Sequence, residues 1–167
     1  MSEQERKQST VAEVLVKCLE NEGVKYVFGI PGEENLDMMN ALEKSDIRVE
    51  NTGNVKEFIR LRLVSYYVDS NGDIVGTVSS QYPALTLKNG WITGANHTYY
   101  YPYSVEPGEA TGILCEPFTL GQKLLANGKT VYQVIELIAE AVQAEPSNAA
   151  QEVWGVTVEN GVVTPAQ

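Results

Sequence analysis

The sequence has little of most residues that build catalytic or metal centres. It holds one histidine, His97, and two cysteines, Cys18 and Cys115, in 167 residues. A single histidine without a Cys-x-x-Cys pair does not supply the ligands of a zinc site. Two cysteines this far apart do not form a disulfide framework. Cys18 falls on the apolar face of a predicted helix, so a buried free thiol is expected there. Basic residues are also scarce: 12 against 22 acidic ones, for a formal net charge of -10. A chain of that balance lacks the basic face that nucleic acid requires and is repelled by anionic membrane surfaces. The charge serves solubility. No run of about 18 apolar residues occurs, so no transmembrane helix is expected. The opening MSEQERKQST is polar and lacks the apolar stretch of a secretory signal, which leaves a cytoplasmic location open.

Aromatic residues are unevenly spread. Residues 1–50 contain only Tyr26 and Phe28, and residues 51–167 hold the other twelve. The charge is evenly split, each part having 11 acidic and 6 basic residues. The boundary is therefore one of pattern.

The first part reads as α/β. Thr10 and Glu13 form a capping box opening a helix, in which Val11, Val14, Leu15, Cys18 and Leu19 share one face. Gly23 suits its end. Val24 to Ile30 is a short apolar run with strand character, broken by Pro31-Gly32. Leu36, Met39 and Leu42 mark a second helix, and Ile47 to Val49 begins another strand. This order is the start of a parallel-sheet fold.

The second part reads as β. It contains four Asn-Gly pairs, at 71–72, 89–90, 127–128 and 160–161. Asn-Gly favours type I′ hairpin turns because both residues tolerate positive φ. Two pairs separate apolar runs: Asn71-Gly72 and Asn160-Gly161. Ile59, Leu61 and Leu63 alternate with Arg60 and Arg62, which predicts a strand with one dry and one wet face. Pro107-Gly108 marks another turn. Residues 131–142 fit a helical stripe and a strand face almost equally well. The fold class expected is mainly β: an antiparallel sandwich over residues 51–163, preceded by a short α/β segment.

Two resemblances attach to these parts. Leu15 to Val49, and within it FGIPGEENLDMMNAL, resembles the opening of the pyrimidine-binding domain of thiamine-diphosphate enzymes of the acetolactate-synthase type. That resemblance implies an Arg-His-Glu motif whose glutamate bonds the thiamine pyrimidine. Here the chain continues Asn51-Thr52-Gly53, and Glu50 lacks both the context and the following helix. The Gly-Asp-Gly…Asn motif for magnesium and diphosphate is matched by nothing, since Asn71-Gly72-Asp73 reads as a turn. A thiamine cofactor works only when the protein orients and polarises it. No catalytic, cofactor-binding or metal-binding residue is therefore assigned, and no cofactor is expected.

Residues 49–158 resemble the TasA and camelysin type of secreted bacterial surface and biofilm-matrix proteins. The carrying segments are VENTGNVKEFIRLRL, WITGANHTYYYPYSVEPGEATGIL and QVIELIAEAVQAEPSNAAQEVWGV. The resemblance implies a jelly-roll-like sandwich and an extracellular or cell-surface place. It also turns residues 131–142 towards strand, followed by a short helix ending at Trp154. The division expected is residues 1–49 and 50–167. The leading functional expectation is a non-catalytic structural or assembly protein, able to self-associate through a sheet edge. The rival is a truncated or chimeric fragment of a thiamine-diphosphate enzyme without activity.

The remaining candidates have plainer readings. Tyr99, Tyr100, Tyr101 and Tyr103 suit a strand with tyrosines packed into a core. Trp91 and Trp154 suit core anchors. Asn96-His97-Thr98 matches a glycosylation acceptor, of consequence only in a eukaryotic secretory route. Gly29, Gly32, Glu33 and Glu34 make no phosphate loop, because the glycine spacing is short and two acids repel phosphate.

Overall fold

The computed structural model describes residues 11–21 and 47–166. The expectations placed on Thr10, on Gly23, on the strand at 24–30 and on the helix carrying Leu36, Met39 and Leu42 lie outside those residues. Helix α1 spans Val11–Asn21. Its apolar stripe does not behave as the periodicity predicts. Val11 is 86% exposed and Val14 and Leu15 are about half exposed, while Val16, off the expected stripe, is buried. Cys18 is exposed as well, which corrects the expectation of a buried thiol. An amphipathic stripe is buried only where a second layer lies on it. The parallel sheet that would cover this one is not found among the described residues.

The rest is mainly β. Strands β1 (Glu57–Val68), β2 (Ile92–Thr93), β3 (Thr98–Tyr100), β4 (Gln122–Leu124) and β5 (Thr130–Gln143) form one sheet in the order β2-β3-β1-β5-β4. Every pairing in it is antiparallel. β1 and β5 pair along their whole shared length, from Glu57 opposite Gln143 to Val68 opposite Tyr132. Helix α2 (Ala149–Trp154) follows, then a hairpin of β6 (Thr157–Glu159) and β7 (Val162–Thr164). Residues 131–142 are thus strand, and the helix ending at Trp154 is present.

Both faces of β1 are used. Ile59, Leu61 and Leu63 point into one core with Trp91, Tyr99, Val105, Leu114 and Cys115. Phe58 points the other way, into a second core with Tyr100, Ala144, Ala150, Val156 and Val163. The alternation of Ile59, Leu61 and Leu63 with Arg60 and Arg62 gives a dry and a wetter face as expected, while Phe58 and Val68 at the two ends of the arginine-bearing face are buried. α2 and the β6–β7 hairpin fold back over the Phe58 end, burying what a two-layer sheet would leave in water. The tyrosine run follows the same alternation. Tyr99 enters the first core, Tyr100 the second, and Tyr103 is half exposed.

The first core is closed by an irregular ladder. Leu114 N–H donates to Ile47 C=O, Thr111 N–H to Val49 C=O, and Asn51 N–H to Glu109 C=O. Lys88 N–H donates to Leu114 C=O, and Leu87 bridges Cys115. Ile47 and Val49, with Leu85 and Leu87, pack on the core from this side. The strand expected at 47–49 is therefore an isolated set of pairs within this layer, and the sheet curls around the core.

Two buried polar groups fix the loops. Asn51 is 1% exposed. Its Nδ2 donates to Val55 C=O at 2.8 Å and to Val105 C=O at 2.9 Å, while its Oδ1 accepts from Gly53 N–H. A buried amide with its bonds met costs little and specifies one arrangement. Gln133 does the same for the other side. Its Nε2 donates to Ser65 Oγ at 3.1 Å and to Gln81 C=O at 2.6 Å, and its Oε1 accepts from Gly121 N–H. Ser65 Oγ also donates to Gln81 C=O.

Candidate functional site

The arginines of β1 open onto a polar groove that several elements share. β-strand alternation puts Arg60 and Arg62 on the same face as Phe58. Arg60 Nε donates to Glu140 Oε2 at 2.6 Å and Arg60 Nη1 to the Tyr100 hydroxyl at 3.2 Å. Its guanidinium carbon lies 4.7 Å from the Trp154 ring centroid and 5.8 Å from that of Tyr100. A planar guanidinium can hold a carboxylate and stack on a ring at once. Trp154 is half-buried, packing against the second core and walling the groove as well, whereas Trp91 is buried and donates to Gly112 C=O. Arg62 is exposed and makes no ion pair among the described residues.

The groove holds about 350 Å³ and is lined further by Asn96, Thr98, Gly155 and Pro165. A more apolar hollow of about 360 Å³ adjoins it at Ile92, Ala95 and Pro165. Chemically the groove offers cation, amide and aromatic surface. Its carboxylate, Glu140, is already held by Arg60, so it presents no acid–base pair and no activated nucleophile.

Of the residues weighed from the sequence, Asn96, Thr98, Tyr100 and Trp154 line it, beside Arg60 and Arg62 of the alternating strand. His97 stacks face to face on Tyr82, with centroids 3.4 Å apart. Asn96 is exposed in a positive-φ turn. Cys115 lies in the first core, where burial pushes its thiol up from the ordinary 9.0 and the neighbouring Glu116 adds to that. Burial likewise raises the Tyr99 phenol above 10.0, with Cys115 beside it. Gly29, Gly32, Glu33 and Glu34 lie outside the described residues. Sequence reasoning missed Arg60, Trp154 and Glu140 as a cluster, because the pairing of residue 60 with residue 140 is set by strand register.

Glu50 is exposed and its backbone bridges Ala110 in the irregular ladder, and it lines neither hollow. No group of three or more His, Cys, Asp or Glu side chains able to hold a metal ion occurs among the described residues. No described helix is long and apolar enough to cross a membrane.

Residues 9–70 match the family model of the thiamine pyrophosphate enzyme N-terminal, TPP-binding domain. The match covers less than half of the chain, and it supports the resemblance seen in the first part. It extends through β1, which lies in an antiparallel sheet. No curated protein and no solved structure matches the chain. The comparisons lend no support to the surface-protein resemblance of residues 49–158.

Proposed function

We propose that this chain is a non-catalytic one, in which a stretch of thiamine-enzyme N-terminal domain runs into an antiparallel β unit that serves binding or assembly. The family match favours this over a matrix-forming surface protein. One observation carries the loss of activity. The matched segment takes in the whole of β1, and β1 has antiparallel strands on both sides and a core on each face. A strand so enclosed leaves Glu50 on a ladder at the surface. No helix follows it, because residues 51–56 are a loop leading into β1, and a cofactor works only when the protein orients and polarises it. The resembled enzymes instead rely on a glutamate that opens a helix beside the pyrimidine.

Calorimetric titration with thiamine diphosphate and magnesium tests the proposal. The expected outcome is no saturable heat at cofactor concentrations up to about 1 mM, equivalent to binding weaker than about 4 kcal/mol. A dissociation constant in the micromolar range would overturn it.

A further inference from the structure

The two ends of the five-stranded sheet are protected very differently. At one end β2 is only two residues long, and very short edge strands are a standard defence against unwanted pairing. At the other end β4 covers β5 only from Thr130 to Tyr132, and Gln133 N–H is taken by Gly121 C=O. From residue 134 to residue 143 no described strand lies beyond β5. The segment VIELIAEAVQ contains no lysine and no proline, the residues that usually blunt an edge.

Register shows which groups have no strand partner among the described residues. Ala144 N–H donates to Lys56 C=O, so the even-numbered residues of β5 point their backbone groups at β1. Gln133, odd-numbered, points the other way. Ile135, Leu137, Ala139, Ala141 and Gln143 therefore present N–H and C=O outward. Leu137 is 37% exposed, and Ala139 and Ala141 are exposed too.

We infer that this edge docks a second copy of the same chain, the two β5 strands pairing antiparallel about a two-fold axis at Ala139. The segment is self-complementary in that register. Leu137 faces the partner copy's Ala141, Ile138 faces Glu140, and Glu136 faces Val142, so no glutamate opposes a glutamate. Moving the axis to Ile138 sets Glu136 against Glu140, and like charges directly opposite destabilise a pair. The ion pair with Arg60 already offsets one of the two glutamates on this edge. The pairing forms roughly ten inter-strand bonds, two for each hydrogen-bonded pair. It is isologous and closes at two copies. The net charge of -10 on each copy opposes it, so association strengthens as salt rises.

The test uses the full chain. Sedimentation over a concentration series gives a monomer–dimer equilibrium that shifts to dimer with added salt. Ala139→Lys and Ala139→Glu, each alone, raise the dissociation constant at least about tenfold, because two like charges meet at the axis. An equimolar mixture of the two restores the dimer. In the unaltered chain, hydrogen exchange at the amides of residues 135, 137, 139 and 141 slows as concentration rises. The even-numbered amides stay protected throughout. A monomer at every concentration and salt, open-ended polymers, or odd-numbered amides indifferent to concentration would each overturn the inference.

Discussion

Among single residues, Cys115 and Tyr99 carry the most testable electrostatics. Both groups are neutral when protonated, and burial raises both above their ordinary 9.0 and 10.0. The unfolded chain gives up these protons first as pH rises, so the stability they contribute is complete below about pH 9 and lost above it. Thermal midpoints should therefore fall between about pH 9 and 11, and less steeply in Cys115→Ala. An identical alkaline decline in that variant would place the cause elsewhere. The contrast with Cys18 was not legible in the sequence. A helical stripe announces a face that could be buried, and only a covering layer decides whether it is.

Among elements, the turns show how far local chemistry reaches. Asn160 and Gly161 both have positive φ, at 51° and 76°, as a type I′ hairpin requires. Asn89-Gly90 does the same, with Trp91 N–H donating to Lys88 C=O. At Asn71-Gly72 and Asn127-Gly128 only the glycine is positive. There the type I′ expectation is corrected. The turn opens one residue earlier, with Gly72 N–H bonded to Asp69 C=O and the Asp69 carboxylate accepting from Asn71 and Asp73 N–H. Substituting Asn160→Ala should cost about 1 kcal/mol, because a Cβ-bearing residue without a local polar side chain resists the left-handed region. Asn71→Ala should cost under about 0.5 kcal/mol. Urea midpoints of the two variants check the difference, and equal losses would refute the turn assignment. Strand identity was legible from alternation in β1. In β5 it was not, since helical and extended periods fit Val131 to Val142 alike. Pairing with β1 over its full length decided it.

At the scale of the molecule, stability should be uneven. β1 has a strand on each side and a core on each face, while α1 exposes most of its apolar stripe. Hydrogen exchange should be faster in residues 15–21 than at Leu61 and Leu63, by orders of magnitude. Equal protection would show that α1 is held by something as extensive as the sheet. The mainly β class was legible because turn chemistry and alternation are local. The groove was not, because Arg60 and Glu140 meet only through a register between distant strands. That same register shapes how the chain is made. β1 ends at Val68 and β5 begins at Thr130, so the central strand leaves the ribosome long before its main partner exists. Loop closure over such a span is slow compared with hairpin formation. The β2–β3, β4–β5 and β6–β7 hairpins can form early, and β1 is left holding apolar side chains on both faces without its mate. Synthesis rate and chaperone supply, more than final stability, then set how much of this chain reaches its native sheet.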